Sequence, residues 1–236
     1  MELKRSINNK NFLYCFTAVV LCFVLGYILL VSLDKVDNVT IKQLFESIYS
    51  VITQFGMMLF SIIVIYSFSV DYKEKNILFY RMLGINEVRY FLSKLLVMIF
   101  WFSISLLTMT IFICILYGDF SELWVMLCYS ENALIYEILI SALIAFLFKN
   151  MLAAYCINLS FWISSIVIST TFGKLSFLAY FDSSNMLSHK LSKYWITGNA
   201  EYLSILNSFM YNLILFCIVL CFVWIFRKRW LRNGLS

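Results

Sequence analysis

Proline is absent from all 236 residues, so no helix in this chain carries a proline kink. Charge is scarce: 13% of the residues are Asp, Glu, Lys or Arg against 63% hydrophobic, and the mean hydropathy is +0.89. Soluble domains hold about 25% charged and 45–50% apolar residues, so a soluble fold of this length could not hide this much apolar surface. Histidine occurs once, at His189, and no Cys/His cluster has metal-ligand spacing. The seven glycines are scattered from Gly26 to Gly234. They build no phosphate cradle, and the pattern G-x-x-x-x-G-K-[ST] is missing. No Ser/His/Asp set is supported by spacing either. The expectation is a chain that is not an enzyme and binds neither ATP, Mg nor another cofactor itself. Seven cysteines make an odd count; six lie in apolar runs, with only Cys128 near an expected loop. That pattern is apolar packing, not a disulfide framework.

What the chain does hold is long apolar runs. A spanning helix needs about 20 largely apolar residues. Five segments qualify, at about 12–33, 48–70, 95–117, 151–172 and 208–226. A sixth, about 133–148, is short, with an earlier start near Leu123 as the alternative. The first run follows Lys4, Arg5 and Lys10 and imitates a signal peptide. It is too long for one and lacks a small-residue cleavage site, so it reads as an uncleaved first span. Six spans put both termini on one side. With that side cytoplasmic, 13 of the 18 Lys and Arg residues fall in inner segments, which sets the orientation by the positive-inside rule. The last outer segment, 173–206, is long and aromatic, with Phe177, Tyr180, Phe181, Tyr194 and Trp195. Short helices at the outer interface are expected there.

The residue pattern is densest in information between spans two and three. Asp71 to Lys94 reads DYKEKNILFYRMLGINEVRYFLSK and holds eight of the 31 charged residues. Leu78 and Met82 are four apart, as are Phe79 and Leu83, so each pair shares a side of a helix. Lys73, Glu74, Lys75 and Arg81 leave another side wet. Gly84 suits a left-handed helix stop, Asn86 an N-cap, and Glu87 the first turn of the next helix. The block therefore reads as helix, glycine turn and second helix.

This block resembles the region between the second and third spans of type-2 ABC exporter permeases. Asp71 takes the family's acidic place, Gly84-Ile85-Asn86 the turn and Lys94 the lysine that opens span three. Gly84 replaces the usual Pro, Glu87 stands where Arg is common, and Lys75-Asn76 replaces a frequent Gly-Thr. Glu2-Leu3-Lys4-Arg5 with Asn9-Lys10-Asn11-Phe12 is similar to the family's interfacial elbow helix. The resemblance implies an all-α polytopic membrane protein with six transmembrane helices and both termini cytoplasmic. It would have an N-terminal elbow helix, a cytoplasmic coupling helix in 71–94 and short outer helices between spans five and six. It also implies partners: two copies of an ABC ATPase subunit carrying the ATP and Mg, and a second permease subunit, identical or homologous. These work in a bilayer, the bacterial plasma membrane, with no nucleic acid. The coupling contact is expected at Tyr72, Phe79, Tyr80, Arg81, Leu83, Gly84 and Glu87.

Within the spans, Glu137 is an intramembrane ionisable residue and a functional candidate on that ground. Gln54 and Asn158 can line a pathway or form interhelical hydrogen bonds. The expected cargo is an amphipathic or antimicrobial peptide or toxin, exported or excluded for bacteriocin immunity. The alternatives are efflux of a drug or lipid-like molecule, or a non-ABC secondary transporter. The latter normally shows paired intramembrane acids or interrupted helices.

Overall fold

The computed structural model describes residues 2–36 and 38–235. The described chain is helical from end to end: α1 (Glu2–Asn8), α2 (Asn11–Ser32), α3 (Ile41–Lys73), α4 (Asn76–Met82), α5 (Glu87–Tyr117), α6 (Leu123–Leu147), α7 (Met151–Thr171), α8 (Met186–Thr197), α9 (Ile205–Ile225) and α10 (Arg227–Leu235). Two short 3-10 turns, Gly173–Ala179 and Ala200–Tyr202, flank α8. Among the described residues, six helices are long and apolar enough to cross a bilayer: α2, α3, α5, α6, α7 and the one ending at Ile225. The protein is a six-span membrane bundle, as expected from the apolar runs.

The apolar stretches divide into core and rim. α6 is 78% buried over its most apolar stretch and α3 61%, against 17% for α7 and 22% for the last span. α6 packs on α3, α5, α7 and α9, and α2 fills the groove between α3 and α5. A helix enclosed by neighbours can be apolar all round, which is why α6 shows no polar face to read in the sequence. Gly26 lets α2 and α3 approach: a Cβ there would lie 2.8 Å from the Ile48 side chain. In a bilayer, where lipid is as apolar as leucine, such close packing is the main force between helices.

Helix starts fall at or before those of the hydropathy reading. The second span runs from Ile41, not 48, because Thr40 and Gln43 form a capping box that satisfies the first free N–H groups. The fourth span starts at Leu123, not 133. The polar residues that end the apolar run there are partnered in three dimensions. Ser103 Oγ donates to Glu131 at 2.8 Å, and Asn212 Nδ2 donates to the Asn132 carbonyl at 2.8 Å. Glu137 therefore stands about 21 Å along α6, not near its end.

The two ends of the bundle differ. At one, α1, α4 and α10 gather around the ends of α3 and α5. At the other, α8 lies over α3, with Leu187, Leu191 and Trp195 turned inward and the Trp195 ring 6.3 Å from that of Phe45. Lys42 meets Glu122 at 3.2 Å there, and the Tyr194 hydroxyl donates to Glu122 at 2.7 Å.

Candidate functional site

The chain reverses twice between α3 and α5. The first corner falls at Lys75, φ 55°, and the second at Gly84, φ 69°. Glycine adopts that left-handed conformation without strain, and Gly84 closes α4 as the sequence suggests. Lys75 has no such freedom, and it splits the expected single helix: α3 continues to Lys73 and α4 begins only at Asn76. Asn86 sits at the N-cap position of α5 in extended conformation but makes no side-chain cap bond.

Around these corners lies a buried charge cluster. Asp71, whose side chain is fully enclosed, faces Arg5 at 2.5 Å and Lys94 at 2.7 Å. Tyr90 Oη donates to its second oxygen at 2.9 Å, and Asn76 Nδ2 to its first at 3.3 Å. Lys94 Nζ also donates to the Ser67 carbonyl at 3.0 Å and lies 3.6 Å from Glu2. Tyr80 Oη donates to Glu2 and accepts from Arg5 at 2.8 Å, while Arg5 reaches Glu74 at 3.3 Å. Thus α1, α3, α4 and α5 are tied through one carboxylate. Burial works against the Arg5 charge, but Asp71 and Tyr80 outweigh it and hold the guanidinium pKa above its ordinary value. Burial, then Asp71 and Glu2, push the Tyr80 phenol up against the pull of Arg5, so it stays a donor. A buried ion set of this kind loses far more when one member is removed than it gains over an apolar equivalent.

The residues expected to touch a partner divide by face. Tyr72 and Tyr80 point inward; Tyr72 Oη donates to the Phe146 carbonyl at 2.8 Å, joining α3 to the end of α6. Phe79, Leu83, Arg81 and Gly84 are exposed, and Glu87 is half-buried. Met82, 84% exposed, is the most open large apolar residue among the described residues. With Leu78, Phe79 and Leu83 it gives α4 an unpartnered apolar face, opposite the face that Ile77 and Tyr80 bury. Beside the cluster, Arg5, Asn9, Tyr66, Glu74 and Lys94 line a polar hollow of about 160 Å³.

The three intramembrane candidates are not brought to one place. Gln54 is on the exposed side of α3 and donates to Ser183 in the segment before α8. Glu137 and Asn158 are interior, either side of Ser141, whose hydroxyl donates to Asn158 at 3.5 Å. Glu137 Oε2 and Asn158 Nδ2 have no hydrogen-bond partner among the described residues. The Glu137 carboxylate presses on Gly56, where a Cβ would lie 2.5 Å from Oε2. It also lines a narrow space of about 10 Å³ with Thr53, Ser165 and Asp182, about the room for one water. No group of three or more metal-binding side chains occurs among the described residues.

Several residues of the site escape sequence reasoning. Glu2 and Arg5 are assigned only to an elbow helix, yet they meet residues about 70 positions away. Tyr90 and Asn76 carry no spacing signal. Met82 is paired with Leu78 on one side of a helix, and its exposure is the missing fact. Asp71 and Lys94, the two ends of the charged block, are each marked by the resemblance; their direct contact is not.

Comparison with known proteins gives the family. The peptide export permease protein YydJ family matches residues 1–235. The probable peptide export permease protein YydJ of Bacillus subtilis (strain 168) is 33% identical over 245 aligned positions, covering 100% of this chain and 99% of that protein. No solved structure matches. With a match along the whole length, on a six-span bundle, the chain is a multi-pass plasma-membrane permease and belongs to the peptide export permease protein YydJ family.

Proposed function

We propose that this chain is the membrane half of an ATP-driven exporter of amphipathic peptides, with α4 as the lever on which a separate ATPase subunit acts. The observation that carries the reading is the exposed face of Leu78, Phe79, Met82 and Leu83 on a helix that Asn76 and Tyr80 tie into the Asp71 cluster. A short helix with two apolar faces has one partner missing, and contiguous exposed apolar surface outside the bilayer marks an interaction site. The ion cluster supplies stiffness: a push on α4 reaches α1, α3 and α5 together. The distribution of Lys and Arg supports placing this end, with both termini, in the cytoplasm. ATP and Mg then belong to the partner, two copies of which serve a pair of permease chains.

The pathway in this reading follows α3. Gln43, Glu46, Ser47, Ser50 and Gln54 form a polar stripe on its open side, and with α2 they line a groove of about 330 Å³. Gln43, Ser47 and Gln54 are engaged by Thr40, the Gly26 carbonyl and Ser183; the Glu46 and Ser50 side chains between them call for water or another protein inside a membrane, and a second permease chain closes the groove. Peptide cargo is taken from the name of the Bacillus subtilis relative, a probable peptide export permease.

The test is co-reconstitution with the ATPase subunit. Met82→Glu with Phe79→Asp is expected to lower peptide-stimulated ATP hydrolysis by at least about tenfold, since burying an unpaired charge at an interface costs several kcal/mol. The span helicity should stay intact. Undiminished stimulation in the double variant would remove α4 as the docking helix.

A further inference from the structure

We infer that the junction of α9 and α10 is a seat for the phosphate of an anionic phospholipid. Arg227, Lys228, Arg229 and Arg232 bring four cations into six residues directly after the last span. None of them forms an ion pair among the described residues. Lys228, Arg229 and Arg232 surround a hollow of about 340 Å³ whose remaining lining is Ile225 and Phe226. Two of the cations are held by rings instead of carboxylates: Arg227 lies over Trp224 at 5.4 Å and Arg229 over Phe148 at 5.1 Å. A cation over a ring keeps its charge uncompensated. The hollow thus offers three cationic donors for a dianion or phosphodiester and, among the described residues, no acid in its lining.

The apolar part of the lining selects an amphiphile over a free phosphate. Phe226 stacks on Phe222 one turn back along the span, with ring centroids 6.2 Å apart. Phe222, Trp224 and Ile225 are all exposed, so an apolar track runs from the hollow towards the bilayer along α9. A phosphate in the hollow would have its acyl chains on that track. Basic pockets where helices leave a membrane take such headgroups, at about 1 kcal/mol per Lys or Arg.

The seat adjoins the charge cluster. α10 lies against α4, and Trp230 is buried there with its ring 5.4 Å from that of Tyr90, which in turn donates to Asp71. A lipid that pins α10 to the membrane surface steadies the wall against which α4 packs. This last step rests on the coupling role of α4; the lipid seat itself does not.

The experiment uses the purified full chain and native mass spectrometry, with dioleoyl phosphatidylglycerol and dioleoyl phosphatidylcholine as probes. The wild type is expected to retain phosphatidylglycerol at least about tenfold more tightly. Lys228→Gln with Arg229→Gln and Arg232→Gln should erase that preference. Lys4→Gln with Lys73→Gln and Arg89→Gln removes the same charge from exposed positions at the same end and should keep it; both triples must melt as the wild type does. Equal retention of the two lipids, or equal loss in the two triples, overturns the seat. So does displacement of the lipid by millimolar inorganic phosphate, which would make the occupant a free anion, or by the purified ATPase subunit, which would make it an acidic protein surface. If phosphatidylglycerol binds as expected but leaves ATP hydrolysis by the reconstituted complex unchanged, the seat stands and the link to α4 fails.

Discussion

Asp71 is the residue on which the α4 end turns. Its two oxygens receive Arg5, Lys94, Tyr90 and Asn76, so both are saturated by groups from outside its own helix. Asp71→Asn leaves two cations facing a neutral amide in a buried site. We expect a loss of about 3–5 kcal/mol, the usual cost of breaking a buried pair from one side, measured as a lowered unfolding midpoint in one detergent. Adding Lys94→Met should recover part of the loss, because one of the stranded charges is gone. If the double variant is less stable than Asp71→Asn alone, the cluster is not organised around this carboxylate. Half of this arrangement is legible in the sequence. The acid and the lysine stand at fixed places in a block that is rare in so apolar a chain. Arg5 and Glu2 are not legible, because a contact across about 70 residues leaves no periodic trace.

At the scale of the element, α4 is defined by its two corners. Gly84 announces one of them, since a left-handed residue is usually glycine. Lys75 hides the other: lysine in that conformation costs about 1–2 kcal/mol, so a sequence reading runs the helix through it. Substituting Lys75→Gly should relieve that strain, net of the entropy glycine adds to the unfolded chain, for a gain of about 0.5–1 kcal/mol. The check is the unfolding midpoint of the variant beside the wild type. A fall in the midpoint would mean that the Lys75 side chain contributes more than its backbone loses. The early start of α6 is hidden for a different reason. Hydropathy ends a span at Glu131 and Asn132, and only their partners Ser103 and Asn212, on other helices, make those residues compatible with the bundle interior.

The whole molecule places α4 and α8 at opposite ends of one bundle. The number of spans and the class of fold follow from composition and run length alone. The sidedness is an expectation drawn from counting Lys and Arg. A direct check uses a variant with all seven cysteines replaced and one introduced, Met82→Cys or Met186→Cys, at positions 84% and 70% exposed. In intact cells a membrane-impermeant maleimide should label Met186→Cys at once and Met82→Cys only after the membrane is opened. The opposite order would invert the topology and take the ATPase-facing role away from α4.

α3 runs without interruption for 33 residues, a rod of about 50 Å. There is no proline to bend it, and its only glycine, Gly56, is wedged against Glu137. One end carries Asp71 and the other carries the polar stripe from Gln43 to Gln54. Such a rod has no joint at which a disturbance can be absorbed. A tilt of about 10° at the Asp71 end, pivoting near Gly56, carries the Gln43 end of the stripe about 3 Å in the opposite direction, while Gln54, beside the pivot, moves less than about 1 Å. Motion at the two membrane surfaces is then a single see-saw, with Gly56 and Glu137 at its fulcrum.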